Sequence, residues 1–358
     1  MYIVQSNKFK RRNVIAAAQR RNAQKSSAEM RKKMEKDKKK FKISFHLIFA
    51  VISILAIIII VRKFWGFGRG ITKEEIDAIP VPDNPEITVY DTFYKIEDTT
   101  GFPEDDGVTT IVCFGNAPFA DDRDASGNPC QLLAKETGAV VYNCAIPGSY
   151  MSTYNEVFSA ADYAIDAFSF YHLAAAAAGN GGDTLSSALT AMGEVDDDTK
   201  AAVELLQTID FNTVDFIYIM YDGSDHFARR AIHNEGNMSD TRFFTGSMIS
   251  GIQLIRQAYP WIQVVVMSPT YAFDVAEDGS YVSSDSKEFG AGRLSSYFFY
   301  QYDACVYEEV TFIDNLYGGI REDNAADYLT DNVHLNAEGR KLVAAQMKKA
   351  LEKLTDTE

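Results

Sequence analysis

Cysteine, tryptophan and histidine are all scarce in this sequence, which has four, two and five of them among 358 residues. So few cysteines exclude a disulfide-dense scaffold, and none of Cys113, Cys130, Cys144 and Cys305 forms a CxxC pair. Cys113 and Cys144 sit inside apolar runs, so buried thiols are expected and no cysteine is given a catalytic or metal role. No internal repeat is present, which argues against solenoids and propellers. The glycines of AAAAAGNGGDT (174–184) do not follow a strand-like run, so they read as the end of a helix and a loop rather than a phosphate cradle.

Positive charge is scarce in most of the chain and crowded at one end. The formal net charge is −15, yet residues 1–42 hold 15 Lys and Arg against Glu29, Glu35 and Asp37, leaving about −27 on the remainder. Directly after this tail comes ISFHLIFAVISILAIIIIV (43–61), 19 residues without formal charge, closed by Arg62 and Lys63. As a helix it spans roughly 28 Å, close to a bilayer's hydrocarbon thickness. A 42-residue basic tail before the segment and WGFGRG after it fit an uncleaved signal anchor better than a cleaved signal peptide. His46 in the first turn reads as structural, since it can snorkel to the interface.

The expected topology is therefore a basic cytoplasmic tail (1–42), a transmembrane helix (43–61), a stalk leading into the domain (62–106) and an extracytoplasmic domain (107–358). The tail and the helix imply membrane lipids as partners, the tail favouring anionic ones. Nucleic acid is not expected as a partner, because the acidic domain would repel phosphate backbones.

In the domain, short apolar runs alternate with helical patterns. TTIVCFG (109–115), AVVYNCAI (139–146), VDFIYIMY (214–221), IQVVVMSP (262–269) and VTFIDNL (310–316) are near-continuous in Val, Ile and aromatics, as buried parallel strands require. Helices are expected over 128–137, 154–178, 199–208, 241–258, 287–307 and 337–354. In the last, Leu342, Val343, Met347, Leu351 and Leu354 mark one apolar face. The fold class read from this alternation is α/β, a three-layer flavodoxin-like parallel sheet.

Reactive groups in such sheets gather beyond the C-terminal strand ends. The loops there are FGNAPFADDRD, PGSYMS, YDGSDHF and SPTYAFD, with TDNVHLNAEG (330–339) before the last helix. In that last loop Asp331 precedes His334 by three residues, a spacing that lets the carboxylate orient the imidazole. Placed just before the closing helix, this DxxH resembles the last block of the SGNH/GDSL hydrolases, and the likeness runs in order from about residue 109 to the C-terminus. The resemblance implies Asp331 and His334 as catalytic residues, Gly115 as the first-block glycine and Gly148 as the oxyanion-hole glycine. It aligns YDGSD (221–225) loosely with the third block.

The same comparison exposes two further scarcities. Gly115-Asn116-Ala117 stands where the family has Gly-Asp-Ser, so Ala117 occupies the nucleophile position, and Ser224 occupies that of the oxyanion-hole Asn. Ser149 and Ser224 are the candidate replacement nucleophiles.

The implied activity is that of an esterase or acyltransferase on esters of extracellular glycans or related polymers. The alternative is an inactive binding or scaffold protein. No cofactor and no metal are expected. ADDRD (Asp121, Asp122, Asp124) reads as an acidic turn paired to Arg123. His226 and His233, with Asp222 and Asp225, read as loop residues, and His172 as a core residue.

Overall fold

The structure is a computed structural model that describes residues 25, 27, 29–34, 88–97, 100–287 and 291–356. The chain divides into two compact units, Met1–Phe64 and Trp65–Glu358. In the first, residues 29–34 are helical. The apolar segment 43–61 and the lead-in at 62–87 lie outside the described residues, and among the described residues no helix is long and apolar enough to cross a membrane.

Seven strands are described in the second unit: β1 (Thr110–Gly115), β2 (Val140–Asn143), β3 (Phe216–Met220), β4 (Gln263–Met267), β5 (Phe273–Val275), β6 (Tyr281–Ser283) and β7 (Thr311–Ile313). Five form one parallel sheet in the order β2-β1-β3-β4-β7, the flavodoxin-like α/β order. β1, β3 and β4 are buried along their whole length, because helices cover both faces. Alternate side chains of β1 serve the two layers. Cys113 reaches Cys130 of the Pro129–Thr137 helix, and the Phe114 ring packs edge-on against Phe170 of the Phe170–Ala177 helix, with centroids 6.1 Å apart. From β3, the Tyr218 hydroxyl donates to the Met347 carbonyl of the closing helix Ala337–Thr355 at 3.0 Å.

The β7 edge is covered by residues 88–97. Thr92 and Phe312 exchange backbone hydrogen bonds of 2.9 Å, and the Gln263 side chain accepts from Ile96 N at 3.1 Å and donates to the Tyr94 carbonyl at 2.6 Å. This part of the expected stalk is thus built onto the domain. Helix boundaries follow local chemistry. Asn128 caps Pro129–Thr137 by accepting from Cys130 N, and Gly138 ends it at φ 75°.

Two expectations are corrected. The helix expected over 154–178 is broken into Ala160–Tyr163, a 3₁₀ turn Ala164–Phe168 and Phe170–Ala177. Asp166 accepts from the backbone N–H of Tyr154 at 2.6 Å and of Asn155 at 2.8 Å, holding that stretch in a loop. A helix over Gly182–Met192 begins inside the expected Gly-rich loop and runs beyond it, and β5 and β6 form an antiparallel hairpin after β4.

Candidate active site

Gly115 ends β1 where the sheet leaves room for no side chain. A Cβ there would lie 1.9 Å from the Met220 carbonyl oxygen of β3. Asn116 follows, fully buried, and ties three loops together. Its Nδ2 donates to the Ser149 carbonyl at 3.0 Å and to Asp222 Oδ1 at 2.7 Å, while its Oδ1 accepts from Asp222 N at 2.9 Å. Asp222 Oδ1 also accepts from Ser224 N at 2.9 Å. Asp225, buried one turn on, accepts from Met151 N at 2.8 Å, Ser152 N at 3.1 Å and Ser152 Oγ at 2.5 Å. The loops after β1, β2 and β3 are therefore one hydrogen-bonded body.

Ala117 opens the short helix Ala117–Ala120 directly after Asn116 and is buried. Ser149 is buried too, and its hydroxyl donates to the Ile146 carbonyl at 2.8 Å, with the Gly115 carbonyl at 3.4 Å. A hydroxyl so committed has main-chain carbonyls, not a base, as its partners. Ser224 begins the short helix Ser224–Phe227. Gly148 adopts φ 68°, with open space where a Cβ would project.

The Asp331–His334 pair forms within its own loop. His334 Nδ1 donates to Asp331 Oδ2 at 2.7 Å, and Asp331 Oδ1 accepts from Val333 N at 2.9 Å and His334 N at 2.8 Å. Thr330 N donates to the His334 carbonyl at 2.8 Å, which closes the loop. On the other side of the ring, Nε2 lies 4.0 Å from Asp121 Oδ2. The hydrogen bond to Asp331, together with the charges of Asp331, Asp121 and Asp222, outweighs burial and raises the His334 pKa to about 9. Burial pushes the Asp331 carboxyl upward, but the bonds it accepts from His334 and Val333 leave it below its ordinary value. Burial raises the Asp121 carboxyl against the pull of His334 and Arg340.

The bond to Asp331 and the surrounding carboxylates favour the imidazolium form of His334 at neutral pH. In that form its Nε2–H is a donor rather than a proton acceptor. The site offers one cationic donor set among three carboxylates.

Several sequence readings change here. Arg123 does not neutralise the acidic turn; it is buried and donates to the Asn143 and Ala145 carbonyls, whereas Asp122 pairs with Arg340 at 2.6 Å. His226 is a buried residue, not an exposed loop histidine, and burial lowers its pKa to about 4. His233 bonds Thr245 Oγ1 at 3.1 Å and stacks on Tyr300. His172 packs between Phe158 and Tyr171. Among the described residues no three His, Cys, Asp or Glu converge on a point where a metal could be held. Asp121 and Asp222, read from the sequence as part of an acidic turn and as a loop residue, both act on His334 in the structure.

No family model and no curated protein sequence matches the chain. Solved structures similar to it include a protein from Slackia heliotrinireducens assigned to the SGNH hydrolases, at 14% identity and TM-score 0.35, over 68% of this chain and 99% of that one. The carbohydrate acetylesterase Est24 from Sinorhizobium meliloti is similar at 13% identity and TM-score 0.37, over 69% and 99%. A possible lipase from Chitinophaga pinensis is similar at 14% identity and TM-score 0.43, over 68% and 98%.

Proposed function

We propose that this protein is a membrane-anchored, SGNH/GDSL hydrolase-like protein of the cell envelope, whose pocket binds glycan or related polymer chains and has lost acyl-enzyme chemistry. The observation that carries this reading is His334 held between Asp331 and Asp121, with Ala117 at the nucleophile position. A serine route needs a neutral imidazole beside a hydroxyl; the raised His334 pKa opposes the first, and Ala117 carries no hydroxyl. What remains suits recognition: charged donors and acceptors, fixed by buried hydrogen bonds, of the kind that hold hydroxyl groups. The anchor is argued from the apolar run 43–61 and the basic tail.

The formed Asp331–His334 pair favours a second reading, slow esterase or acyl-transfer activity without a covalent intermediate. Asp121, its carboxyl raised by burial, would take a proton from water as the water's oxygen bonds to the acyl carbon. The ester C–O bond breaks, and His334 Nε2 donates its proton to the leaving oxygen.

The test is the full-length protein in detergent, assayed on a panel of acetylated and acylated glycan esters and, separately, for binding of the same glycans. Binding without turnover supports the first reading. Turnover abolished by both His334→Ala and Asp121→Asn supports the second, and neither binding nor turnover would remove both.

A further inference from the structure

Arg230 is a buried cation that makes no ion pair among the described residues, the buried Asp225 carboxylate acting on it only from beyond ion-pair distance. Only 8% of its surface is exposed, and its Nη1 is buried without a hydrogen-bond partner. Its Nη2 approaches the Tyr163 hydroxyl at 3.5 Å. Three tyrosine rings enclose the guanidinium, with Cζ 4.6 Å from the centroid of Tyr150, 5.1 Å from Tyr154 and 5.8 Å from Tyr163. Cation–π attraction offsets part of the desolvation of this charge, but the rings supply no acceptor for Nη1. A guanidinium presents a planar fork of N–H groups matched to a carboxylate.

The cluster adjoins the candidate site. Tyr150 directly follows Ser149, whose carbonyl Asn116 holds, and the charges of both Asp225 and Asp222 act on the Tyr150 hydroxyl. Asp222 also acts on His334. The outermost ring is Tyr154, 65% exposed and tilted against Tyr163 at a centroid distance of 5.2 Å. An exposed ring changes rotamer in nanoseconds or less, so Tyr154 can turn its face to a sugar ring.

We propose that Arg230 and the Tyr150, Tyr154 and Tyr163 rings form a subsite for a carboxylate-bearing sugar unit, its carboxylate on the Arg230 fork and its ring stacked on Tyr154. This rests on the reading of the neighbouring pocket as a glycan-binding site and names the class of glycan. Neutral oligosaccharides leave Nη1 unpaired and bind less well.

The experiment is calorimetric binding of galacturonate oligomers and of neutral galactose oligomers of equal length to the full-length protein in detergent. Galacturonate is expected to bind about tenfold more tightly or better, with the difference shrinking as salt rises. Tyr154→Ala, at an exposed position, should weaken both ligands by roughly tenfold. Arg230→Lys, checked for folding by its melting curve, should remove most of the preference for the acid. Equal affinity for the two oligomers, or affinity insensitive to Tyr154→Ala, overturns the subsite. If neutral binding then falls in Asp222→Asn, the pocket reading still stands. Galacturonate binding that needs Tyr154 but is unchanged in Asp222→Asn and His334→Ala supports the subsite and removes the pocket reading. Inorganic phosphate competing as well as galacturonate would show a general anion site and overturn the sugar assignment.

Discussion

His334 Nε2 lies 4.0 Å from Asp121 Oδ2, on the side of the ring where a triad would place its serine. With Asp331 on Nδ1, the imidazole has a carboxylate at each nitrogen. Its pKa, about 9 against an ordinary 6.5, is the direct consequence. Because the folded value is the higher, the stability it contributes is complete below about pH 6.5 and is lost as pH rises through about 9. Proton-detected titration of the His334 ring should show a midpoint near 9, and melting temperature should fall across that window. Asp331→Asn should flatten the fall and move the midpoint toward 6.5.

Esterase activity should be absent or weak in the wild type and should depend on pH in an informative way once a nucleophile is restored. Ala117→Ser, alone or with Ser224→Asn, is expected to raise hydrolysis of activated esters about tenfold or more, but only as His334 loses its proton near pH 9. Adding Asp121→Asn should move the rise to lower pH. A pH–rate profile of the three variants checks this, and a restored enzyme already at full rate at pH 7 would contradict the imidazolium assignment.

Ser149 is a structural residue in this geometry. Ser149→Ala removes a hydroxyl bonded to the Ile146 carbonyl and should cost about 1 kcal/mol in denaturant unfolding, with ester hydrolysis unchanged. Hydrolysis abolished by this substitution would show a relocated nucleophile.

The loop body around Asn116 should be far less tolerant. Asn116→Ala strips three hydrogen bonds and leaves the buried Asp222 carboxylate with Ser224 N as its remaining donor, so about 2–4 kcal/mol of destabilisation is expected. Gly115→Ala should be at least as severe, because its Cβ would overlap the Met220 carbonyl. Unfolding curves of both variants measure this directly.

Topology follows from the proposed anchor. Protease added to intact cells should remove residues C-terminal to 61 and spare an epitope placed in residues 1–42. A protected domain would reverse the orientation and with it the envelope assignment.

Sequence alone determined the parts of this protein that local pattern controls. The five strand runs and the closing helix were legible because apolar patterning acts over a few residues. The Asp331–His334 pair was legible for the same reason, since three positions separate its members. Where two local preferences compete, as when Asp166 draws the Tyr154 and Asn155 amides into a loop, periodicity misread a broken segment as one helix. The site's character was decided by tertiary structure. Asn116 meets Asp222 across 106 positions, Asp121 meets the far nitrogen of His334, and Arg230 lies under three tyrosines from other segments. Such encounters are set by strand order and loop packing, and no spacing within the chain encodes them. Whether a histidine is a base or a fixed cation depends on the charges brought around it, and only the folded chain brings them.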